Sequence, residues 1–314
     1  HLTAHHRQAD RPGVASPFRI GCGAERLRQP GKESAVKVLV TGGAGNIGLT
    51  LVRYMSAQHD VTALDIKDKP EEIDSYVRAD ILDLDAMKEA LKGFDAVVHL
   101  AAIPYPLPNA PEKTFQVNTM GTYNVLEACA VNGIKRFGFA SSDSTIGLVF
   151  GKPGRTPHYL PLDEDHPTEP EDAYGLSKLV GEQLCRSYAL RTGMNVTIIR
   201  PPWVWQKAQA DTYREMVNKP EAWKECLWNY IHELDLARAF QLGLEKQWES
   251  GCETFFVAAA ENGTRLTTRE LLERFLPNVS DIRAPLVGHE SLIDTTKARR
   301  MLGWTPQHTW EEVI

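Results

Sequence analysis

The chain has 314 residues, a formal net charge of −6 and 42% hydrophobic residues, enough to bury a sizeable core in one large α/β domain or two smaller ones. The acidic balance excludes the basic footprint of a general nucleic-acid binder, and no apolar run approaches the roughly 18–20 residues of a membrane span. The five cysteines (Cys22, Cys129, Cys185, Cys226, Cys252) form no CxxC pair, which predicts reduced thiols in a cytoplasmic protein; no His/Cys/Asp cluster has ligand spacing, so no metal is expected.

Residues 1–35 differ in character from the rest of the chain. They hold five arginines and three prolines, show little apolar periodicity, and lack the apolar core of a secretory signal. This reads as a disordered extension, with the compact domain beginning near Val36. A short apolar run, 36–40, then leads into Thr41-Gly42-Gly43-Ala44-Gly45-Asn46-Ile47-Gly48 and a helical pattern. This is a strand, a glycine turn and a helix start. Gly42 can take a turn conformation that a side chain would block, Gly45 admits a pyrophosphate close to the backbone, and Gly48 lets the helix pack tightly on the strand. Phosphates would sit at the helix N-terminus, over free N–H groups and the positive end of the dipole. The next apolar run, 61–64, ends at Asp65, where an acidic side chain would bind the adenosine ribose hydroxyls. A carboxylate there repels a 2′-phosphate, so NAD is expected over NADP, although Lys67 keeps NADP use open.

Strand-like and helix-like segments then alternate. The apolar runs are 96–100, 137–140, 196–199 and 254–257, and the helical patterns are 47–58, 85–91, 111–131, 172–191 and 234–246. Such alternation predicts an α/β fold, a Rossmann-type doubly wound parallel sheet with helices on both faces. Residues 36–200 would form the NAD-binding domain. Residues 147–171 hold five prolines and no strong periodicity, and a loop of that length is usually functional. The segment 201–233 is rich in tryptophan (Trp203, Trp205, Trp223, Trp228). Residues 201–314 would form a small substrate lobe, interleaved with the last sheet strands, over the carboxyl edge where ligands bind in such folds.

Two segments carry chemistry. Tyr174-Gly175-Leu176-Ser177-Lys178 places a phenol and an ammonium on one helix face. A free tyrosine, with a pKa of about 10, is a poor base near neutrality; a neighbouring ammonium and a nicotinamide cation would lower that value. The phenol could then exchange a proton with a substrate hydroxyl while hydride moves to or from NAD. The strand ending at Ser141-Ser142 offers a hydroxyl that could hold the reacting oxygen.

Together these residues resemble the extended short-chain dehydrogenase/reductases, in their NAD-dependent epimerase/dehydratase branch, over residues 36–314. The markers are the glycine turn, Asp65, Asp80-Ile81, His99-Leu100-Ala101-Ala102, Asn118, Ser141-Ser142, Tyr174-x-x-x-Lys178, Arg200-Pro201 and the stretch from Ile293 to Trp304. The resemblance implies a catalytic set of Ser142, Tyr174 and Lys178, with Asn118 holding a helix kink and a relay water. It implies cofactor contacts from Gly42, Gly45, Asn46, Ile47, Gly48, Asp65, Asp80, Ile81, Leu100, Ala101, Ala102, Tyr174 and Lys178. It also implies a homodimer through the helices near 111–131 and 172–192.

Fold does not choose the reaction. Sugar-nucleotide dehydratases resemble Thr-Asp-Glu where this chain has Ser142-Asp143-Ser144, so the eliminating glutamate is missing and a dehydratase is disfavoured. UDP-galactose epimerases share Ser142 and the Tyr174/Lys178 pair, but spend more chain than the short segment between Arg200 and Tyr230, and Ile146 stands where they carry a tyrosine. Uronate dehydrogenases resemble the chain at Phe139-Ala140-Ser141-Ser142, Thr145-Ile146-Gly147 and Tyr213-Arg214; there Arg214 would clamp a substrate carboxylate. Asp143 and Ser144 replace their Asn-His, and Asp143 suits a neutral sugar or polyol better. The expectation is NAD-dependent hydride transfer at a secondary alcohol of a small sugar-type substrate, with Ser142, Asp143 and Arg214 as substrate contacts. The alternatives are a UDP-sugar epimerase that recycles its cofactor in place and a non-catalytic NAD(P)-binding regulator.

Overall fold

The computed structural model describes residues 35–314; the extension expected over 1–35 lies outside the described residues but for Ala35, as does Cys22. In chain order the elements are β1 (Lys37–Thr41), α1 (Asn46–Ser56), β2 (Asp60–Asp65), β3 (Tyr76–Arg78), α2 (Leu84–Ala90), β4 (Ala96–His99), α3 (Pro111–Val131), β5 (Arg136–Ala140) and α4 (Ala173–Thr192). There follow β6 (Asn195–Arg200), β7 (Trp203–Trp205), α5 (Ala210–Val217), β8 (Tyr230–His232), α6 (Glu233–Glu245), β9 (Cys252–Phe256) and α7 (Thr268–Phe275).

Seven strands form one sheet in the order β3-β2-β1-β4-β5-β6-β9, and every pairing is parallel. The central strands are apolar on both faces because both faces are covered. Within β1, Val38 and Val40 point into a core shared with Leu51 and Met55 of α1 and Phe240 of α6. Leu39 points the other way, toward Met87 of α2, Val125 of α3 and Cys185 of α4. The order reverses at β1, whose neighbours β2 and β4 lie on opposite sides, and a crevice opens at such a switch point.

Local signals set the helix ends. The Asp83 carboxylate caps α2, Asp172 caps α4, and Gly193, at φ 67°, ends α4. A reciprocal capping box between Thr267 and Glu270 starts α7. The tryptophan-rich segment builds its own core at the carboxyl edge. Trp203–Trp205 pairs in parallel with Tyr230–His232, and Trp205, Tyr213, Trp223, Trp228 and Tyr230 pack with Leu160, Phe256 and Trp310. Among the described residues no helix is long and apolar enough to cross a membrane, and Cys129, Cys185, Cys226 and Cys252 are free thiols.

Candidate active site

The glycine turn is built as a cradle. Gly42 sits at φ 72°, and a Cβ there would lie 2.7 Å from the Ala101 nitrogen. A Cβ at Gly48 would lie 2.1 Å from the Gly42 carbonyl oxygen, so Gly48 packs α1 against the turn itself. Gly43 is equally constrained, with a Cβ falling 2.5 Å from that of Ala63, a packing role that no motif marks. Gly45 caps α1 without a side-chain partner for the first-turn amides, leaving donors for an anion. The residues therefore fit a dinucleotide phosphate.

Asp65 closes the turn from β2. Its Oδ2 accepts from the Ala44 amide at 3.1 Å and its Oδ1 from the Lys67 amide at 3.2 Å. Asp65→Asn keeps an acceptor for Ala44 but removes the charge. The NADP/NAD ratio of kcat/KM is expected to rise about tenfold, or ~1.4 kcal/mol; an unchanged ratio would show that Asp65 does not select the cofactor.

From this turn a cleft of about 1220 Å³ runs along the carboxyl edge of the sheet. Gly42, Gly45, Asn46, Ile47, Gly48 and Asp65 line its first part, with Asp80, Ile81, Leu100, Ala101 and Ala102 beside them. Ser142, Asp143, Tyr174 and Lys178 line the rest. The structure thus brings these sequence-predicted residues into one cavity. Asn118 and Arg214 do not line it.

Asn118 lies behind the wall. Its Oδ1 accepts from the Ile103 amide at 2.8 Å, and its Nδ2 donates to the Ile103 carbonyl at 3.0 Å and to Ser177 Oγ at 2.9 Å. It ties α3 to α4, and α3 runs as one helix through it. Its carbonyl accepts from the Thr122 hydroxyl at 2.7 Å. That hydroxyl therefore accepts from His99 Nε2 at 3.1 Å, and His99 Nδ1 accepts from Thr41 at 2.7 Å. Burial, aided by the Lys178 charge, depresses His99 to about 3, so the ring is neutral.

Arg214 points out from α5, exposed and paired with Asp211 one turn earlier. Its neighbour Tyr213 turns inward and stacks on Trp205, with centroids 4.3 Å apart. The Tyr213 hydroxyl accepts from the Gln206 amide at 3.2 Å and lies 2.6 Å from Gln209 Oε1. Gln206 and Gln209 both line the cleft beside Trp203. Neither glutamine is legible in the sequence, because no motif marks a lone amide.

The reactive group is set by α4 against the end of β5. Asp172 Oδ1 accepts from the Tyr174 and Gly175 amides, both at 2.8 Å. The Tyr174 ring meets Phe150 edge-on at 5.8 Å. The Lys178 ammonium donates to the Ala140 carbonyl at 2.7 Å and lies 5.7 Å from the Tyr174 ring centroid. Burial lowers Lys178 to about 8. Burial also raises the Tyr174 phenol, helped by the Asp143 and Asp172 charges and opposed by a hydrogen bond from Ser142. Lys178 together with a nicotinamide cation was expected to pull this phenol down. The protein's own groups instead favour its protonated form, because burial and the two carboxylates outweigh the Ser142 hydrogen bond.

Asp143 is buried between Ser142 and Ser144, and the Ser142 hydroxyl lies 3.2 Å from its Oδ1. Burial raises its carboxyl from 3.8 to about 7, against the Ser142 and backbone hydrogen bonds. A raised folded pKa contributes stability that is complete below the unfolded value and lost as pH rises through the folded one. The protein is therefore expected to lose stability relative to Asp143→Asn as pH rises from 3.8 to about 7. Urea midpoints of the two proteins across that range check it; parallel profiles would contradict it.

Beneath these groups, Glu182 is fully buried one helical turn beyond Lys178. It accepts from Ser141 Oγ at 2.6 Å and takes a forked pair from Arg200 at 2.7 and 2.8 Å. Among the described residues no group of three or more His, Cys, Asp or Glu could hold a metal ion.

A parallel sheet, a glycine cradle at its switch point and a Ser/Tyr/Lys cluster in the same cleft define a dinucleotide-dependent enzyme of the short-chain dehydrogenase/reductase type. The sequence model of the NAD dependent epimerase/dehydratase family matches residues 38–250, and the chain belongs to that family and uses NAD. It is 37% identical over 191 residues to an L-arabinose 1-dehydrogenase (NAD(P)(+)) of Haloferax volcanii, an alignment covering 59% of this chain and 73% of the relative. It is 28% identical over 313 residues to a UDP-glucose 4-epimerase of Corynebacterium glutamicum, covering 87% and 92%. The fold matches that of a short-chain dehydrogenase/reductase superfamily protein from Agrobacterium tumefaciens solved with bound NAD, at TM-score 0.67 and 23% identity over 88% and 94% of the two chains.

Proposed function

We propose that this enzyme oxidises a secondary alcohol of a sugar or sugar derivative. The observation that carries the reading is the convergence of Ser142, Tyr174 and Lys178 on the cleft that begins at the glycine turn. NAD, when bound, supplies the hydride acceptor. In the oxidative direction Tyr174 takes the hydroxyl proton as a phenolate, the form that a bound nicotinamide cation would favour against burial, and in the reductive direction it returns the proton. Ser142 holds the substrate oxygen, and Lys178 brings positive charge beside the phenol. Gly42, Gly45 and Gly48 receive the pyrophosphate, with Asp65 toward the adenosine ribose. Residues 201–314 act as the substrate lobe, with Gln206, Gln209 and Trp203 facing the substrate.

The dehydrogenase likeness supports net oxidation. The epimerase likeness, which spans more of the chain, favours a second reading, with hydride returned to the sugar. Near-UV absorbance with NAD and panels of free sugars, uronates and UDP-sugars separates them. Growth of the NADH band supports net oxidation. Interconverted UDP-sugars without NADH sink it in favour of the epimerase.

The enzyme is proposed to act as a homodimer. Met120, Tyr123 and Val131 of α3 and Leu176 and Leu190 of α4 are large apolar side chains left exposed, Leu190 by 85%. Such a patch matches a second copy of itself. Light scattering is expected to give twice the chain mass, and Met120→Glu with Leu176→Glu to give a monomer; a monomeric wild type would end this reading. Free thiols at four described cysteines fit the reducing cytoplasm.

A further inference from the structure

The substrate end of the cleft carries an unusual balance of charge. No arginine lines the cleft among the described residues, and its cations are Lys67, Lys113 and Lys178. Lys67 lies beside Asp65, toward the adenosine side. Lys178 is buried and engaged by the Ala140 carbonyl. Lys113 is an exposed single ammonium on the first turn of α3, without the paired donors with which a guanidinium grips a carboxylate or phosphate. Arg214, the expected anion clamp, is turned outward onto Asp211.

The anionic partner sits inside. Asp143 lines the cleft next to Ser142. Tyr174 and Cys226 line the same cleft. The cleft lining also includes uncharged hydrogen-bonding groups. Gln206 Nε2 donates to Glu233 at 3.0 Å, leaving its oxygen as an acceptor. The Gln209 oxygen is taken by the Tyr213 hydroxyl, leaving its nitrogen as a donor. Trp203, fixed by edge contacts to Trp205, Tyr213 and Trp223, offers an apolar face.

We infer that the substrate is an uncharged sugar or polyol, that Asp143 accepts hydrogen bonds from its hydroxyls, and that the same carboxylate excludes uronates, sugar phosphates and nucleoside-diphosphate sugars. The inference rests on the sugar-oxidation reading. A hydroxyl donor gains a charge-assisted bond from Asp143, whereas an anionic substrate meets a like charge without a guanidinium to offset it. Burial sets the Asp143 carboxyl at about 7, so assays at about pH 8.5 read its ionised form.

The test uses the full chain and matched substrates: D-galactose with D-galacturonate, D-glucose with D-glucuronate and a glucose phosphate, L-arabinose, and UDP-glucose. Turnover is read as NADH formation by the wild type. Binding is read separately by calorimetry on Tyr174→Phe saturated with NADH. At least one neutral sugar is expected to exceed its anionic counterpart by about tenfold or more in kcat/KM and in affinity. Asp143→Asn is expected to shrink that ratio about tenfold, and Asp143→Glu, which keeps the charge, to retain the preference. An anionic sugar handled as well as its neutral partner, a ratio unmoved by Asp143→Asn, or binding of no sugar at all would each overturn the inference. NADH formed chiefly from a uronate defeats the selectivity and leaves sugar oxidation standing. Neutral sugars that bind selectively without NADH formation do the reverse.

Discussion

Tyr174→Phe is expected to lower kcat by about two to four orders of magnitude, the usual worth of a positioned acid/base group, while NAD affinity stays within a few-fold. The substitution removes one oxygen. It leaves the ring that meets Phe150 at 5.8 Å, the Asp172 cap that holds the start of α4, and the glycine cradle at the far end of the cleft. The loss should therefore fall on turnover and spare binding and folding. Calorimetric titration with NAD and a thermal melt, run beside the kinetics, separate these effects. A regulator that only binds the nucleotide has no turnover to lose and should behave as the wild type. The surroundings of the phenol sharpen the expectation. Burial and the neighbouring Asp143 and Asp172 charges hold it protonated, so the group is set first as an acid. Loss of turnover is then expected in the reductive direction as well, measured with NADH and the product carbonyl. A variant within tenfold of the wild type in both directions would remove Tyr174 from the chemistry.

The sheet was legible because its signal is local and periodic. Apolar runs at 36–40, 96–100 and 196–199 lie on strands buried on both faces, where hydrophobicity is continuous. The missed strands are three residues each. Tyr76–Arg78 is a partly exposed edge strand, and Trp203–Trp205 and Tyr230–His232 pair only with each other, so neither composition nor period marks them. The cradle was legible for a different reason: Gly42 and Gly48 stand where a Cβ would strike backbone, so the motif is a steric requirement written in residue type. What escaped the sequence was direction. Tyr213 and Arg214 are adjacent, yet one enters the aromatic core and the other faces solvent beside Asp211. Asn118 is placed in the fold by Ile103 and Ser177, partners distant in sequence. The Tyr174 proton affinity also turned on burial, which spacing along a helix does not report.

Glu182→Ala is expected to cost about 3–5 kcal/mol of stability, the range found when one partner of a buried ion pair is removed. Glu182 is 0% exposed and Arg200 3%. The carboxylate joins β6 through Arg200 and the end of β5 through Ser141, with Arg186 adding a contact at 3.0 Å. Burial opposes its charge, but Arg200, Ser141 and Arg186 together hold its pKa below the ordinary value. Alanine leaves the Arg200 guanidinium in the same dry site with its principal counter-charge gone. Desolvation is then unrepaid, and this, rather than the lost attraction, sets the size of the effect. The urea midpoint should fall at a nearly constant m-value. Glu182→Met with Arg200→Met should recover much of the loss, because two apolar side chains need no partner. The double variant would still lack the bond from Ser141 to Glu182, one residue before Ser142, so recovered stability without recovered kcat would locate the second role of this carboxylate in holding the strand end against α4. A single-alanine cost below about 1 kcal/mol would instead mean that water reaches Arg200 and screens it, and the buried pair would carry neither role.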